Sequence, residues 1–165
     1  MSKILISGYY GFANAGDEAM LTAIIESLRQ VEKNVELTVL SGNPEDTAAK
    51  HQVCSVYRFN PLGIIQAMKD SELIISGGGS LLQDVTSKRS LLYYLSIIGL
   101  GKFFGKKVML FAQGIGPIRA KWARKLTSLV CNEADLITVR DSESAAELIE
   151  MGVKPEKITV TADSV

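Results

Sequence analysis

The sequence predicts an α/β fold built on a doubly wound parallel sheet. Short apolar segments that are typical of buried parallel strands alternate with longer segments whose apolar residues recur at helical spacing. Glycine-rich or polar turns directly follow several of the strands, which is where open α/β sheets place their ligand sites. The 165 residues match the usual size of one domain. The expected architecture is therefore a single Rossmann-like domain.

A glycine-rich turn separates the first strand, residues 3–7, from a helix over residues 17–30. Gly11 and Gly16 have the spacing that opens a P-loop, but Asp17 and Glu18 stand where that motif has lysine and a hydroxyl residue. This difference reverses the charge at the phosphate position and disfavours an ATP site. A dinucleotide site is disfavoured too, because the glycine spacing differs and the second strand ends without a carboxylate.

The same turn carries side chains that suit sugar hydroxyls. Aromatic walls, an amide and a carboxylate come from Tyr9, Tyr10, Phe12, Asn14 and Asp17. Asp17 and Glu18 are equally explained as acids placed at the positive end of a helix dipole. Both interpretations stay open on the sequence alone.

The remaining elements continue the alternation. Further strands are predicted over residues 34–40, 53–56, 72–76, 107–112, 135–139 and 157–161. Further helices are predicted over residues 45–51, 61–68, 87–104, 118–131 and 142–151. The helix over residues 87–104 is apolar all round, which indicates burial in the core or against another domain, and Gly99 and Gly101 could break it. Asp141 is a candidate N-cap for the last helix, and Gly152 a candidate stop.

Four further expectations concern the packing of side chains and the order of the strands. Cys54 and Cys131 lie in apolar runs and are expected to be buried free thiols, with a disulfide as the alternative. His51 is expected at the surface. The helix over residues 118–131 is expected to bury one apolar side, formed by Trp122, Leu126, Leu129 and Val130. The four central strands are expected to be residues 4–7, 73–76, 108–112 and 136–139.

Three later segments also follow strands and are expected to precede helices. They are residues 77–84, 113–117 and 140–141. Because the carboxyl ends of parallel strands meet at one edge of a sheet, these segments should converge there with the first turn. Arg140 is the only cation of these segments that immediately follows a predicted strand.

Four segments of the chain resemble motifs of the polysaccharide pyruvyl transferases, close to the bacterial cell-wall enzymes of that family. Residues 8–19 resemble the family's N-terminal signature, and residues 76–84, 113–117 and 139–141 resemble its later motifs, in the family's order. The resemblance implies the N-terminal domain of a two-domain enzyme like the GT-B glycosyltransferases. Residues 1–165 would form that domain, and the family's C-terminal domain would lie outside this chain.

The resemblance also implies a reaction. The pyruvyl unit of phosphoenolpyruvate would be transferred to two hydroxyls of one sugar, which forms a cyclic ketal and releases phosphate. The expected donor-binding residues are Arg140, Gly77, Gly78, Gly79, Gln113 and Gly114. The expected acceptor-binding residues are Tyr9, Phe12 and Asn14, and the expected catalytic residues are Asp17 and Asp84. A structural ion pair between Arg140 and Asp141 is the alternative to donor binding.

Composition narrows the partners. The chain has 18 lysine and arginine residues and 18 aspartate and glutamate residues. It therefore lacks the net positive charge that is typical of a nucleic-acid-binding protein. No cofactor and no metal ion are expected, and the resemblance implies phosphoenolpyruvate as the donor substrate. The acceptor sugar could be lipid-linked. Lysines 102, 106 and 107 could touch anionic lipid, with a solvated helix end as the alternative.

The expected location is cytoplasmic, with peripheral contact at the inner face of the membrane. The N-terminus lacks a signal-peptide pattern, and the longest apolar run, residues 91–101, is too short to span a bilayer. Self-association is expected through the surface that would face a second domain. Two other classes stay open: half of a GT-B glycosyltransferase or sugar-nucleotide epimerase, and a non-catalytic binding domain.

Overall fold

The computed structural model describes residues 2–85 and 87–161. The strands within these residues are β1 (Lys3–Ser7), β2 (Glu36–Ser41), β3 (Cys54–Tyr57), β4 (Leu73–Ser76), β5 (Gly79–Leu82), β6 (Lys107–Ile115), β7 (Leu136–Val139) and β8 (Ile158–Val160). The helices are α1 (Ala15–Val31), α2 (Pro44–His51), α3 (Pro61–Asp70), α4 (Lys88–Phe103), α5 (Lys121–Glu133) and α6 (Ser142–Met151). A 3₁₀ turn, Pro155–Lys157, precedes β8.

All described strands join one parallel sheet in the order β3-β2-β1-β4-β6-β7-β8, with β5 paired to β6 beside this path. The strands expected at the centre, β1, β4, β6 and β7, are neighbours in the middle of this order. The predicted α/β class and its parallel sheet are confirmed. In a parallel sheet the connecting helices cover both faces. The central strands are therefore buried on both sides, which explains their unbroken apolar sequences.

Helices cover both faces of the sheet. On one face α1 buries Leu21 and Ile24 against apolar residues of β1, β2 and β4. On the other face α3, α4, α5 and α6 pack in a second cluster. Successive β1 residues divide between the two clusters: Ile4 and Ile6 belong to the first and Leu5 to the second. This division follows from the alternation of side chains along a strand.

The cap and the stop that the sequence predicts for the last helix are confirmed. The Asp141 side chain caps α6 by accepting a hydrogen bond from the Ser144 N–H, and Gly152 ends that helix with a φ of 111°. Asn14 caps α1 in the same way through the Asp17 N–H. A left-handed φ at the end of a helix favours glycine, because a Cβ atom would be strained there.

Two expectations about the glycine segments are wrong. Residues 77–84 do not lead from a strand directly into a helix, because Gly79–Leu82 forms β5 and pairs with β6. Gln113 and Gly114 are not in a loop either, since β6 continues to Ile115. Pairing with β5 extends the middle of the sheet beyond β4, so both segments stay in strand conformation. Gly99 and Gly101 leave α4 unbroken.

Three packing expectations are wrong in whole or in part. Of the predicted apolar side of α5, Leu126 and Val130 pack partly buried against the core, while Trp122 and Leu129 are 48% and 59% exposed. The fully buried residues of α5 are the small residues Ala123, Thr127 and Cys131. Small residues allow α5 to approach α4 and α6 closely, which leaves its largest side chains outside. Both cysteines are free, but Cys54 is exposed. The side chain of His51 is 10% exposed and lies 4.0 Å from a Glu18 carboxylate oxygen.

None of the described helices is long and apolar enough to cross a membrane.

Candidate active site

An open cavity of about 340 Å³ lies at the carboxyl edge of the central strands, and we call it the edge cavity. It is lined by Asn14, Gly16, Asp17, Met20, Gly79, Ser80 and Arg140. These residues come from three separate segments: the turn after β1 and the start of α1, β5, and the end of β7. The structure therefore brings together four residues that the sequence nominated, Asn14, Asp17, Gly79 and Arg140.

Asp17 is the carboxylate of the edge cavity. It lies in the first turn of α1, where the Asn14 side chain accepts its backbone N–H at 3.2 Å. Burial, and then the neighbouring charge of Glu18, raises the pKa of the Asp17 carboxyl above its usual value. A raised pKa makes a carboxylate a better proton acceptor near neutral pH. Asp17 is therefore chemically suited to take a proton from a bound hydroxyl.

Arg140 is the cation of the edge cavity. Its Nη2 donates a hydrogen bond of 3.0 Å to the Ser80 hydroxyl, and its Nε lies 3.7 Å from an Asp141 carboxylate oxygen. The side chain remains 37% exposed, so solvent reaches part of the guanidinium. Asp141 also caps α6, and the hydrogen bond from Ser144 holds the pKa of this carboxyl below its usual value. The Arg140–Asp141 contact is thus long and exposed, and such pairs contribute little to stability.

The guanidinium of Arg140 lies directly over Gly114. A Cβ atom added to Gly114 would sit 2.5 Å from Arg140 Cζ and 2.7 Å from its Nε. A larger residue here would displace the guanidinium from its observed position, because the Arg140 side chain occupies that space. Gly114 thus belongs to the site by making room for Arg140.

Gln113 holds the glycine segment in place from below. Its side chain is fully buried, and its Nε2 donates hydrogen bonds of 2.8 and 2.7 Å to the carbonyl oxygens of Ser76 and Gly77. A Cβ atom at Gly77 would collide with the Tyr10 hydroxyl, and one at Gly78 with the Met20 methyl group. The structure therefore places Gln113, Gly77 and Gly78 in packing contacts beneath the edge cavity. Among the three glycines only Gly79, with a φ of 100°, lines it.

Tyr10 is not an aromatic wall, contrary to expectation. Its ring is fully buried, and burial raises the pKa of its hydroxyl well above the usual range. The turn after β1 folds the ring back against Gly8 and Gly77, where the lack of side chains leaves space for it. Tyr10 is therefore a core residue.

Asp84 lies apart from the edge cavity and fixes the segment that leads into α5. Its two carboxylate oxygens accept hydrogen bonds of 3.0 Å from the backbone N–H groups of Arg119 and Ala120. These bonds, the Ala120 bond first, hold the pKa of Asp84 below its usual value. The N-cap residue of α5, Ala120, has no side-chain acceptor of its own. The observed contacts of Asp84 are structural, and its catalytic role stays a prediction.

Tyr9 and Phe12 form a stacked pair that we call the aromatic platform. Their ring centroids are 4.3 Å apart with planes inclined by 16°, and the residues are 41% and 42% exposed. Phe12 packs over Gly42, where a Cβ atom would lie 2.5 Å from its ring. The platform does not line the edge cavity, although Asn14 of the same turn does. An exposed pair of stacked rings is a suitable surface for the apolar face of a sugar.

Sequence reasoning missed Arg58, which is buried behind the aromatic platform. Arg58 is 5% exposed and immediately follows β3, so Arg140 is not the only cation directly after a strand. Its Cζ lies between 4.6 and 5.8 Å from the ring centroids of Tyr9, Phe12, Phe59, Tyr93 and Tyr94. Each such cation–π contact contributes about 0.5–2 kcal/mol. The available signal was an arginine between two aromatic residues at the end of a strand.

The described residues contain no group of three or more histidine, cysteine, aspartate or glutamate side chains that could hold a metal ion. The polar groups of the edge cavity are instead one carboxylate, one amide, one hydroxyl and one guanidinium. This set can orient hydroxyls, accept a proton and bind an anion.

A model of the family described as polysaccharide pyruvyl transferase matches residues 14–165. The chain belongs to the polysaccharide pyruvyl transferase family. This membership confirms the resemblance seen in the motifs and identifies the domain as part of a transferase family. No curated protein matches the chain.

Solved structures share the fold at low sequence identity. The Anabaena protein Alr3699/HepE in complex with UDP-glucose is 15% identical with a TM-score of 0.67, and the match covers 99% of this chain and 44% of that one. The lipopolysaccharide outer core galactosyltransferase WaaB is 17% identical with a TM-score of 0.59, covering 97% and 45%. The UDP-GlcNAc 2-epimerase from Neisseria meningitidis, bound to UDP-GlcNAc, is 14% identical with a TM-score of 0.57, covering 99% and 46%. The pyruvyl transferase domain thus spans less than half the length of these GT-B-like structures.

Proposed function

We propose that this domain takes part in transferring the pyruvyl unit of phosphoenolpyruvate to a sugar of a cell-wall polysaccharide, as a cyclic ketal. The observation that carries the proposal is the meeting of Asp17 and Arg140 in one cavity at the carboxyl edge of the sheet. A transfer from an anionic donor to a hydroxyl needs a cation and a proton acceptor, and the edge cavity contains one of each.

Arg140 is proposed to bind the donor. Phosphoenolpyruvate carries a carboxylate and a phosphate, and a guanidinium can pair with either through two parallel hydrogen bonds. The chain has no net charge, so attraction for this donor must come from locally placed cations. The Ser80 hydroxyl orients the guanidinium within the edge cavity.

Asp17 is proposed to accept a proton from the attacking sugar hydroxyl. Addition of the first hydroxyl oxygen to C2 of the enol forms a C–O bond, while the proton that Asp17 takes from this hydroxyl is delivered to C3 and converts the methylene to a methyl group. The second hydroxyl then displaces phosphate from C2, and its proton leaves with the released phosphate. The raised pKa of Asp17 suits the first of these proton transfers.

The acceptor is proposed to rest on the aromatic platform, with the Asn14 amide bonding its hydroxyls. The platform and Asn14 belong to the same turn, so a sugar could reach from the exposed rings to the edge cavity. We further propose a cytoplasmic enzyme with a lipid-linked acceptor. Membrane contact through the lysines at the end of α4 has less support, since Lys102 pairs with Asp135 at 2.8 Å and Lys106 donates to the Lys69 carbonyl oxygen.

The test is a phosphate-release assay on the natural protein that carries this chain. Phosphoenolpyruvate is supplied with and without candidate cell-wall glycan acceptors, and the products are analysed for a pyruvyl ketal. We expect phosphate release that depends on the acceptor. Parallel reactions with UDP-sugars test the competing class, because solved structures of this fold contain such ligands. Turnover of UDP-sugars without phosphate release from phosphoenolpyruvate would overturn the proposal.

A further inference from the structure

A second cavity, of about 260 Å³, opens between α3 and α4. Its walls are apolar and include Phe59, Ile65, Ile97 and Leu100, and Arg58 is its only charged lining residue among those that the structure describes. We call it the α3–α4 cavity. An apolar cavity with a single cation is unsuited to a sugar, which would leave most of its hydroxyls without partners.

Arg58 lacks an anionic partner within the described residues. Its guanidinium lies beyond 4.0 Å from every described carboxylate, and its Nε is buried without a hydrogen-bond partner. Its Nη2 approaches the Tyr94 hydroxyl at a long 3.5 Å. The surrounding rings stabilise the charge but offer no strong acceptor to the Nε–H group. The described residues therefore leave the charge of Arg58 without a counter-ion, although the residue lines the cavity.

The apolar surface continues from the α3–α4 cavity along both helices. Leu62 lies one turn before Ile65 on α3, and Phe103 lies one turn beyond Leu100 on α4. Leu62 is 80% exposed and Phe103 is 81% exposed. These side chains would be covered by an apolar chain that leaves the cavity between the two helices.

We propose that the α3–α4 cavity binds an amphiphile, with its phosphate or carboxylate head group on Arg58 and its apolar chain between α3 and α4. An oxyanion in the cavity would provide the counter-charge that Arg58 lacks, through a charge-assisted hydrogen bond to the guanidinium. The single cation explains why one anionic group is recognised, and the apolar walls explain why it must carry a chain. The site is distinct from the edge cavity, since the two share no lining residue.

The first experiment measures binding of four probes to the chain by calorimetry, below their micelle-forming concentrations. The probes are decyl phosphate, decanoate, decanol and inorganic phosphate. We expect at least one of the two anionic amphiphiles to bind about tenfold or more tightly than decanol and than inorganic phosphate. The stronger of the two identifies the head group. Equal binding of decanol, or no binding of either anionic amphiphile, would overturn the proposal.

Two variants locate the site. Arg58→Met keeps the side-chain length and removes the charge, so the preference for an anionic amphiphile over decanol should disappear. Ser96→Trp places a large side chain at the cavity lining while keeping Arg58, so all decyl-chain probes should weaken about tenfold or more. Thr22→Trp, on an exposed position of α1, is the matched control and should change nothing.

Ser96→Trp still tests the proposal if Arg58→Met does not fold. Unchanged binding in Ser96→Trp, or an unchanged preference in folded Arg58→Met, would exclude the α3–α4 cavity as the site. Light scattering of the same samples tests another occupant of the groove. A concentration-dependent dimer that Ser96→Trp abolishes, without binding of any amphiphile, would assign the groove to a second copy of the chain and overturn the proposal.

Discussion

Arg140 shows how the site depends on the geometry of one side chain rather than on overall charge. Arg140→Lys keeps the positive charge but loses the planar fork that can pair with a carboxylate or phosphate through two hydrogen bonds. We expect kcat/KM for phosphoenolpyruvate in the natural protein to fall at least tenfold, equivalent to about 1.4 kcal/mol. Thermal melts should stay near those of the native protein, because the Arg140–Asp141 contact is long and exposed. Much lower melting with full activity would make Arg140 a structural residue.

Gly114 should affect activity through the position of the Arg140 guanidinium, without contacting the substrate. Gly114→Ala would place a Cβ atom 2.5 Å from Arg140 Cζ, and the flexible guanidinium would move away. We expect a loss of kcat/KM of about tenfold, similar to that of Arg140→Lys. Gly99→Ala in α4 is the control, since nothing lies within 4 Å of its added Cβ atom. If Gly114→Ala retained full activity, the position of the guanidinium over Gly114 would not matter for the reaction.

Asp17 should make stability depend on pH. Its folded-state pKa is raised above the unfolded value of about 3.9, first by burial. Its contribution to stability is therefore fully present below the unfolded pKa and is lost as the pH rises through the folded pKa. Asp17→Asn avoids this loss, so its melting temperature relative to the native protein should be higher at pH 7 than at pH 3. Glu26→Gln, on an exposed position of α1, is the control. A relative melting temperature that is higher at pH 3 would contradict the assigned environment of Asp17.

Among the elements, α5 begins after a segment that is fixed by a residue far away in the chain. Asp84→Ala removes the acceptor of the Arg119 and Ala120 N–H groups, and loss of a hydrogen bond typically costs about 1 kcal/mol. Asp84→Asn keeps a side-chain oxygen and should recover most of this stability in denaturant melts. Both variants should retain activity once folded. A folded Asp84→Asn protein without activity would instead support the catalytic role predicted from the family motif.

The elements also show which features the sequence could predict. Strand β1 and helix α1 follow from their own residues, because apolar periodicity and a capping Asn14 are local signals. Strand β5 could not be predicted, since it exists through pairing with β6, about thirty residues further along. The buried side of α5 was predicted only in part, because close helix packing buries its small residues most deeply and leaves Trp122 and Leu129 exposed. The site at the carboxyl edge was predictable in outline. The aromatic surroundings of Arg58 could not be predicted, because the rings come from positions as far apart in the sequence as Tyr9 and Tyr94.

At the scale of the whole molecule, the carboxyl edge exposes apolar surface in the aromatic platform. The self-association expected from the sequence stays a prediction, and the platform is the surface on which we test it. We expect light scattering to give a mass that rises above 17.9 kDa with concentration. Phe12→Ser should reduce this rise, while Trp122→Ser, at a similarly exposed aromatic residue on α5, should leave it unchanged. A constant monomeric mass, or equal effects of the two variants, would exclude association through the platform.

Arg58 touches two surfaces at once. Its guanidinium contacts Phe12 of the aromatic platform at 5.2 Å and Tyr93 beside the α3–α4 cavity at 4.6 Å. A molecule that draws the guanidinium toward one surface weakens its hold on the other. Coupling between two binding equilibria is reciprocal. If one ligand changes the affinity for the other by some factor, the second ligand changes the affinity for the first by the same factor. One side chain would then make two ligands, bound on different sides of it, sensitive to each other's concentration.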